Sequence, residues 1–99
     1  MNKEKLIIRD ITSSTLTNSD GLSLKIAIDS ALSNADVVVL SFEAIGTISS
    51  SFLNSSIGEI IDKYGFEILK DRVMITNYTP TIASFIQKYI NDLRYTEHK

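Results

Sequence analysis

The stretch Asp36-Val37-Val38-Val39-Leu40-Ser41-Phe42 decides the fold class of this 99-residue chain. Its apolar residues are continuous and mostly β-branched, and they do not alternate with polar residues. A strand of this composition is typical of the centre of a parallel sheet, where helices cover both faces. We therefore predict that this stretch is the central strand of an α/β domain.

Strand-like and helix-like segments alternate on both sides of this stretch. Further strands are predicted over residues 6–11 and 72–77. The first helix is predicted to begin near Asp20 or Gly21, with Ser19 or Asp20 as its N-cap. The next two are predicted to begin at the serine run 49–51 and at Thr79-Pro80, where Thr caps and Pro occupies the first helical position. This order predicts a single domain with a mostly parallel sheet of three to four strands and about three helices, joined by right-handed crossovers. A fourth strand would lie in residues 11–18 or 66–69.

Apolar residues at helical spacing indicate which helix faces enter the core. For the first helix we expect a broad apolar face, and Asn34 is expected to end this helix in a left-handed conformation. The second helix is expected to run from the serines to Gly65, with Gly58 packed closely on the sheet. The predicted core residues of the first helix are Leu22, Ile26, Ala27 and Leu32, with Leu24, Ile28 and Ala31 as further candidates.

Length and composition restrict the function classes. The chain has the size of one domain, over residues 1–99, and residues 94–99, which include the single histidine His98, are expected to form a frayed tail. A net charge of −2 without a Lys/Arg cluster argues against nucleic-acid binding. No cysteine is present, which excludes disulfides and thiolate metal sites.

Hydropathy gives an expectation about location. No run of about 18 apolar residues occurs, so the sequence predicts no membrane span. The charged residues 1–5 do not have the pattern of a secretory signal. We therefore expect a cytoplasmic protein.

Motifs for catalysis or cofactor binding are absent. There is no phosphate-binding P-loop, no dinucleotide glycine fingerprint and no metal-ligand spacing. Asp29 and Glu43 are isolated carboxylates, and Glu59 and Asp62, three residues apart on the second helix, favour a solvated face over an acid–base pair. We predict that the chain is not an enzyme and has no catalytic residue, no metal site and no cofactor.

The segment Ile48-Ser49-Ser50-Ser51-Phe52-Leu53 is the strongest candidate for function. N-capping explains a serine at this position without any further role, because the side chain satisfies free amides at a helix start. One serine is enough for a cap, however, and three leave hydroxyls to spare. A phosphate on such a serine would be tolerated locally at the helix N-terminus and would present about −2 of new charge to a partner.

These residues carry a resemblance to a known family. The pattern of residues 37–42, then Ser49-Ser50-Ser51-Phe52-Leu53, then Gly58 resembles the STAS domains of bacterial anti-sigma-factor antagonists, and it is closer to the small STAS-like domains of unknown function. The resemblance covers residues 21–91 in order and spacing. It implies a STAS-like α/β fold.

The antagonists have Asp-Ser-Ser-Gly-Leu-Gly at this loop, and the alignment assigns the serines. Matching Leu53 to the leucine of that motif puts Phe52 at its first glycine and Ser51 at the serine that a partner kinase phosphorylates. Ser50 then matches the preceding serine, and Ser49 replaces the aspartate. The chain departs from the family at two positions: Phe52 stands where the family has Gly, and Ser49 stands where the family has Asp.

The resemblance implies regulation by partner switching. The unmodified domain would bind a GHKL-type ATPase or serine kinase, and phosphorylation of a serine would break the contact. Ser51 and Ser50 are the phosphorylation candidates. The expected partner-binding residues are Ser49, Ser50, Ser51, Phe52, Asn54 and Ser55.

Three alternatives remain open. A sensor for a small ligand or nucleotide could use Asp10, Glu43 and the serines, in a crevice where the parallel strands end at a switch point. A structural subunit or homodimer could use an exposed edge strand or the region of Phe52 and Tyr64. An enzyme is the least favoured alternative, because no base is placed to activate a serine.

Overall fold

The computed structural model describes residues 2–97, and the side chains of residues 2–95. Three strands alternate with helices along the chain, and the crossover between the second and third strands is divided into three short helices. The elements are β1 (Lys3–Ile7), α1 (Ile8–Ile11), α2 (Asn18–Asn34), β2 (Val37–Ser41), α3 (Ser50–Ser55), α4 (Ile57–Tyr64), α5 (Ile68–Asp71), β3 (Val73–Thr76) and α6 (Pro80–Glu97).

The sheet is parallel, and its strand order is β1-β2-β3. The strand predicted from the continuous apolar stretch is the central one. Strands in sequential order step across the sheet in one direction, so right-handed crossovers place their helices on one side. The hydrophobic core agrees with this arrangement. Every helix contributes to it, and its members from β2 and β3, which are Val38, Leu40 and Val73, share one face of the sheet.

The opposite face of the sheet lies outside that core. The register places Lys5, Val39 and Met74 side by side on it. Val39 is half-buried and Met74 is 46% exposed. No helix of the described residues covers this second face of the central strand, although Val37 and Ser41 on it are also buried.

β1 begins earlier than the sequence predicts. The predicted strand covered residues 6–11, but the strand ends at Ile7 and the chain turns into α1. The helical turn puts Ile8 and Ile11 three residues apart on one side, and both contact the core. Lys3 and Lys5 can lie in a strand because they point to the uncovered face.

α2 begins at Asn18, before the predicted start. Thr17 is its N-cap: the Thr17 hydroxyl accepts a hydrogen bond of 3.1 Å from the Asp20 amide and donates one of 2.8 Å to the Asp20 carboxylate. The helix ends at Asn34 as predicted. The prediction that Asn34 is left-handed is wrong. Within residues 2–97, the non-glycine residues with positive φ are Ala44 and Asn77.

α2 buries the further core candidates Leu24, Ile28 and Ala31, together with Leu32 of the first predicted set. Leu22 and Ile26 were predicted to lie in the core, but they are 51% and 58% exposed. The helix is rotated so that a different set packs inward. This buried set consists of Gly21, Leu24, Ile28, Ala31 and Leu32.

The second predicted helix is divided at Ser56. The Ser56 hydroxyl donates a hydrogen bond of 2.7 Å to the Phe52 carbonyl, which is the usual acceptor of the Ser56 amide in a helix. The Ser56 amide donates to the Leu53 carbonyl in its place. This side-chain competition for a backbone acceptor interrupts the helix, and α4 follows. Gly65, with φ of 90°, ends α4 as predicted. Gly58 packs closely on Tyr89 of α6, where the sequence predicted the sheet.

No fourth strand occurs within residues 2–97, and residues 68–71 form α5. α6 begins at Pro80, where the Thr79 hydroxyl caps the Ile82 amide as predicted. The helix continues to Glu97, so residues 94–97 of the expected tail are helical, and Arg94 stacks on the Phe66 ring at 4.9 Å. The expectation for His98 concerns a position outside the described residues. Within those residues, no helix combines the length and apolarity needed to cross a bilayer.

Candidate functional site

Ser49 is the N-cap of α3 and is held on three sides. Its hydroxyl accepts a hydrogen bond of 3.0 Å from the Phe52 amide and donates one of 2.8 Å to the Leu16 carbonyl. Its amide donates to the Thr15 carbonyl at 3.1 Å. The first serine therefore joins α3 to the loop before α2, and its hydroxyl has a structural role.

Ser50 and Ser51 are the first two residues of α3, and both are exposed. Neither side chain makes a hydrogen bond to any residue in the described part of the chain. The cap needs only Ser49, so these two hydroxyls are not used by the fold. They are the free nucleophilic groups of the serine run.

The other predicted partner-binding residues differ in their positions. Asn54 is exposed and accepts a hydrogen bond of 2.7 Å from the Tyr89 hydroxyl. Ser55 is half-buried and donates one of 2.9 Å to Asn18 Oδ1 on α2. Phe52 has no exposed surface, because α3 turns this ring into the core against the sheet. Its side chain is therefore not part of the surface, and it is corrected to a core residue.

α3 lies directly against α2 at this point. A Cβ on Gly21 would be 2.5 Å from the Phe52 carbonyl oxygen and 2.7 Å from Ser55 Cβ. Four-residue spacing places Leu22 and Ile26 in line with Asn18 on α2, and it places Ser51 in line with Ser55 on α3. The Ser55–Asn18 hydrogen bond joins the two rows into one surface. We call the surface formed by Asn18, Leu22, Ile26, Ser51 and Ser55 the serine face.

The sequence of α2 contains an indication that Leu22 and Ile26 are exposed. α2 carries two apolar rows, Leu22 with Ile26 and Leu24 with Ile28, and a helix packed on one sheet cannot bury both. The predicted core includes the exposed row, Leu22 with Ile26. An amphipathic helix would have one such row, so the second row is the indication of an additional surface.

A charge network borders the serine face one turn beyond Ile26. The Asp29 carboxylate accepts hydrogen bonds from the Tyr64 hydroxyl at 2.7 Å and from Lys63, and it also pairs with Lys25 at 3.3 Å. The Tyr64 hydrogen bond is the main reason that the pKa of Asp29 lies below its ordinary value. Tyr64, which the homodimer alternative used, is 38% exposed. Both lysines of the network are therefore already paired with a carboxylate.

The carboxylates considered for chemistry do not assemble into a site. Glu59 and Asp62 are exposed on α4. Glu43 follows β2 and forms an ion pair of 2.7 Å with Arg9. Asp10 is exposed on α1. No cluster of three His, Asp or Glu side chains suited to a metal ion occurs in the part of the chain that the structure describes.

A cleft is present where β1 and β2 end, but it differs from the predicted crevice. The strand order has no reversal, so the sheet has no topological switch point. Residues 12–16 and 44–47, together with Arg9, line the cleft, whose volume is about 460 Å³. Its serines are Ser13 and Ser14, and neither Asp10 nor the run 49–51 lines it.

Comparison with known proteins places the chain in a family. No match was found among curated proteins or among solved structures. The family model described as STAS-like domain of unknown function (DUF4325) matches residues 20–83, more than half of the chain, from the first turn of α2 to the first turn of α6. The matched region contains the central strand, the serine run and the serine face apart from Asn18. The chain therefore belongs to the STAS-like domain family of unknown function.

Proposed function

We propose that this chain is a non-enzymatic regulatory module that binds another protein through the serine face, and that phosphorylation of Ser51 controls the contact. The observation that carries the proposal is the division of labour in the serine run. Ser49 alone caps α3, whereas the exposed Ser50 and Ser51 hydroxyls make no hydrogen bond within the described residues. Two exposed hydroxyls that the fold does not use are available for modification.

The surroundings of Ser51 favour protein binding. Leu22 and Ile26 are large apolar side chains, each more than half exposed, on the same surface. Asn18, Ser51 and Ser55 complete it without any charged side chain. Depletion of charge around exposed apolar residues is typical of the centre of a protein–protein interface. A partner with aliphatic side chains fits this surface best.

A phosphate at Ser51 would be compatible with the fold but not with this contact. The kinase would transfer the γ-phosphoryl group of ATP to the Ser51 oxygen, releasing ADP and the hydroxyl proton. The new charge of about −2 would be tolerated at the start of α3. The serine face itself carries no basic residue, and the neighbouring Lys25 and Lys63 already pair with Asp29. Burying the phosphate against an apolar partner would cost about 3 kcal/mol, which lowers affinity about a hundredfold.

The family suggests the kind of partner. In the anti-sigma-factor antagonists that the sequence resembles, the partner is an ATPase-fold serine kinase. We extend this to a GHKL-type ATPase or kinase in the cytoplasm as the partner of this chain. A homodimer formed through the same face is the competing occupant.

The test uses the protein that copurifies with the tagged chain from its native host, and its affinity is measured by calorimetry. We expect Ser51→Asp to weaken binding strongly and Ser51→Ala to leave it unchanged. Ser84→Asp, on an exposed position of α6, is the matched control. Equal binding by Ser51→Asp and Ser51→Ala would remove the switch role, and a loss in Ser50→Asp alone would transfer it to Ser50.

Light scattering of the purified chain addresses the competing homodimer. A monomer at working concentrations, together with site mapping by mass spectrometry that finds phosphate on Ser51 after incubation with the partner and ATP, supports the proposal. A dimer that Leu22→Gln dissociates assigns the serine face to a second copy of the chain.

A further inference from the structure

The cleft between residues 12–16 and 44–47 is separate from the serine face and has its own chemistry. Its volume of about 460 Å³ lies within the range of small-molecule sites, roughly 300–1,000 Å³. Two loops form it, one after α1 and one after β2, at the carboxyl ends of β1 and β2. Its lining combines apolar side chains of Leu16, Ala44 and Ile45 with polar side chains of Arg9, residues 12–15 and Thr47.

The cleft is rich in hydrogen-bond donors that the fold does not use. Arg9 has five N–H donors, and its hydrogen bond of 2.7 Å to Glu43 uses one guanidinium nitrogen. The hydroxyls of Ser13 and Thr47 make no hydrogen bond within the described residues. The Ser14 hydroxyl is already engaged, because its oxygen accepts from the Leu16 amide and the group also hydrogen-bonds to the Asp20 carboxylate. A donor-rich cleft fits a ligand rich in acceptor oxygens.

The backbone of residues 44–47, which line the cleft, has two features that suit a ligand site. Ala44 has φ of 62°, a left-handed conformation that residues with a Cβ rarely adopt. A Cβ on Gly46 would meet nothing within 4 Å, so the main chain there is open to a ligand. Backbone conformations of this kind are concentrated at ligand sites.

From these observations we infer that the cleft binds a small anion of the phosphate class, as free phosphate or as a phosphate monoester, with Arg9 as its charged ligand. Guanidinium groups bind phosphate oxygens bidentately, and the hydroxyls of Ser13 and Thr47 supply neutral donors. The inference is independent of the proposed partner switch, because none of these residues belongs to the serine face.

Glu43 competes with the anion for Arg9. The Arg9 and Glu43 side chains are 50% and 44% exposed, and an exposed ion pair contributes little to stability. An arriving anion can therefore displace the carboxylate at small cost. This arrangement predicts opposite effects for two single substitutions: Arg9→Gln weakens binding, and Glu43→Gln strengthens it.

The experiment is an amide NMR titration of the full chain with inorganic phosphate, glycerol 3-phosphate and glycerol, at constant ionic strength set with chloride. We expect shifts at residues 12–15 and 44–47 with both phosphates and none with glycerol. Arg9→Gln should weaken binding about tenfold, and Glu43→Gln should tighten it several-fold. Tighter binding of glycerol 3-phosphate than of inorganic phosphate would identify a phosphate ester as the ligand, and equal binding would identify the free anion.

The ion pair between Lys88 and Asp92 on α6 provides matched controls. Lys88→Gln and Asp92→Asn make the same changes of net charge far along the chain from the cleft, and they should leave phosphate binding unchanged. The inference is overturned by an absence of shifts with both phosphates, by equal binding in Arg9→Gln, by weaker binding in Glu43→Gln, or by control variants that reproduce the effects.

Discussion

Gly21 of α2 lies against the main chain of Phe52 in α3, so closely that a Cβ on Gly21 would be 2.5 Å from the Phe52 carbonyl oxygen. The neighbouring atom belongs to the backbone and cannot rotate away. Gly21 therefore sets the distance between the two helices that form the serine face.

Gly21→Ala should destabilise the domain. Forcing α3 away from α2 costs about 3 kcal/mol, and the better helix propensity of Ala returns about 1 kcal/mol, so a net loss of about 2 kcal/mol is expected in urea unfolding. Gly46→Ala is the control, because a Cβ there meets nothing within 4 Å. Equal stability of the two variants would show that α2 and α3 can separate without cost.

Gly58 and Tyr89 should be energetically coupled. A Cβ on Gly58 would be 2.3 Å from the Tyr89 hydroxyl but 3.5 Å from the ring carbon that bears it. Gly58→Ala should therefore cost about 2 kcal/mol in the native background and about 1 kcal/mol less when Tyr89→Phe has removed the hydroxyl. A double-mutant cycle by chemical denaturation measures this difference, and identical costs in the two backgrounds would contradict the packing.

Asp29 should contribute stability that depends on pH. Hydrogen bonds from Tyr64 and Lys63 hold the pKa of the folded-state carboxyl below its ordinary value of 3.8. The contribution is therefore complete well above pH 3.8 and is lost as the pH falls through the lower folded-state pKa.

The variant Asp29→Asn tests this sign. At pH 7 its free energy of unfolding in urea should be about 1 kcal/mol lower than that of the native chain. This difference in stability should become smaller below pH 3.8. The exposed Asp62→Asn is the control and should show no such trend. A stability difference that grows in acid would contradict the lowered pKa of Asp29.

Leu22 and Ile26 should matter for partner binding and little for folding. Because both are more than half exposed, Leu22→Gln and Ile26→Gln should change stability by about 0.5 kcal/mol or less. If the residue lies near the centre of the interface, each substitution should lower the affinity for the copurified partner about tenfold. Met74→Gln, at an exposed position on the opposite side of the sheet, is the control, and an equal effect there would assign the interface elsewhere.

Local signals were sufficient for much of the fold. The continuous apolar run predicts β2 as the central strand, and Thr79-Pro80 predicts the start of α6, because both patterns depend on neighbours in the chain. The serine run predicted a cap and suggested the family that the comparison established. The sequence did not show which of the three serines caps; the hydrogen bonds of Ser49 did.

The remaining differences arise from contacts between distant residues. β1 contains two lysines that a strand tolerates only because one sheet face is uncovered. The rotation of α2 depends on which apolar row packs into the core, and the break at Ser56 depends on a hydroxyl reaching a backbone carbonyl. The cleft brings together segments about 30 residues apart, so no single motif could reveal it.

The uncovered sheet face has a practical use. Met74 projects from it, outside the core and on the opposite side from the helices, and the chain contains no cysteine. Met74→Cys would thus introduce a unique thiol for a fluorophore or a surface tether. Immobilised through that position, the domain would present both the serine face and the helices to solution, and binding could be followed without a reporter in the contact.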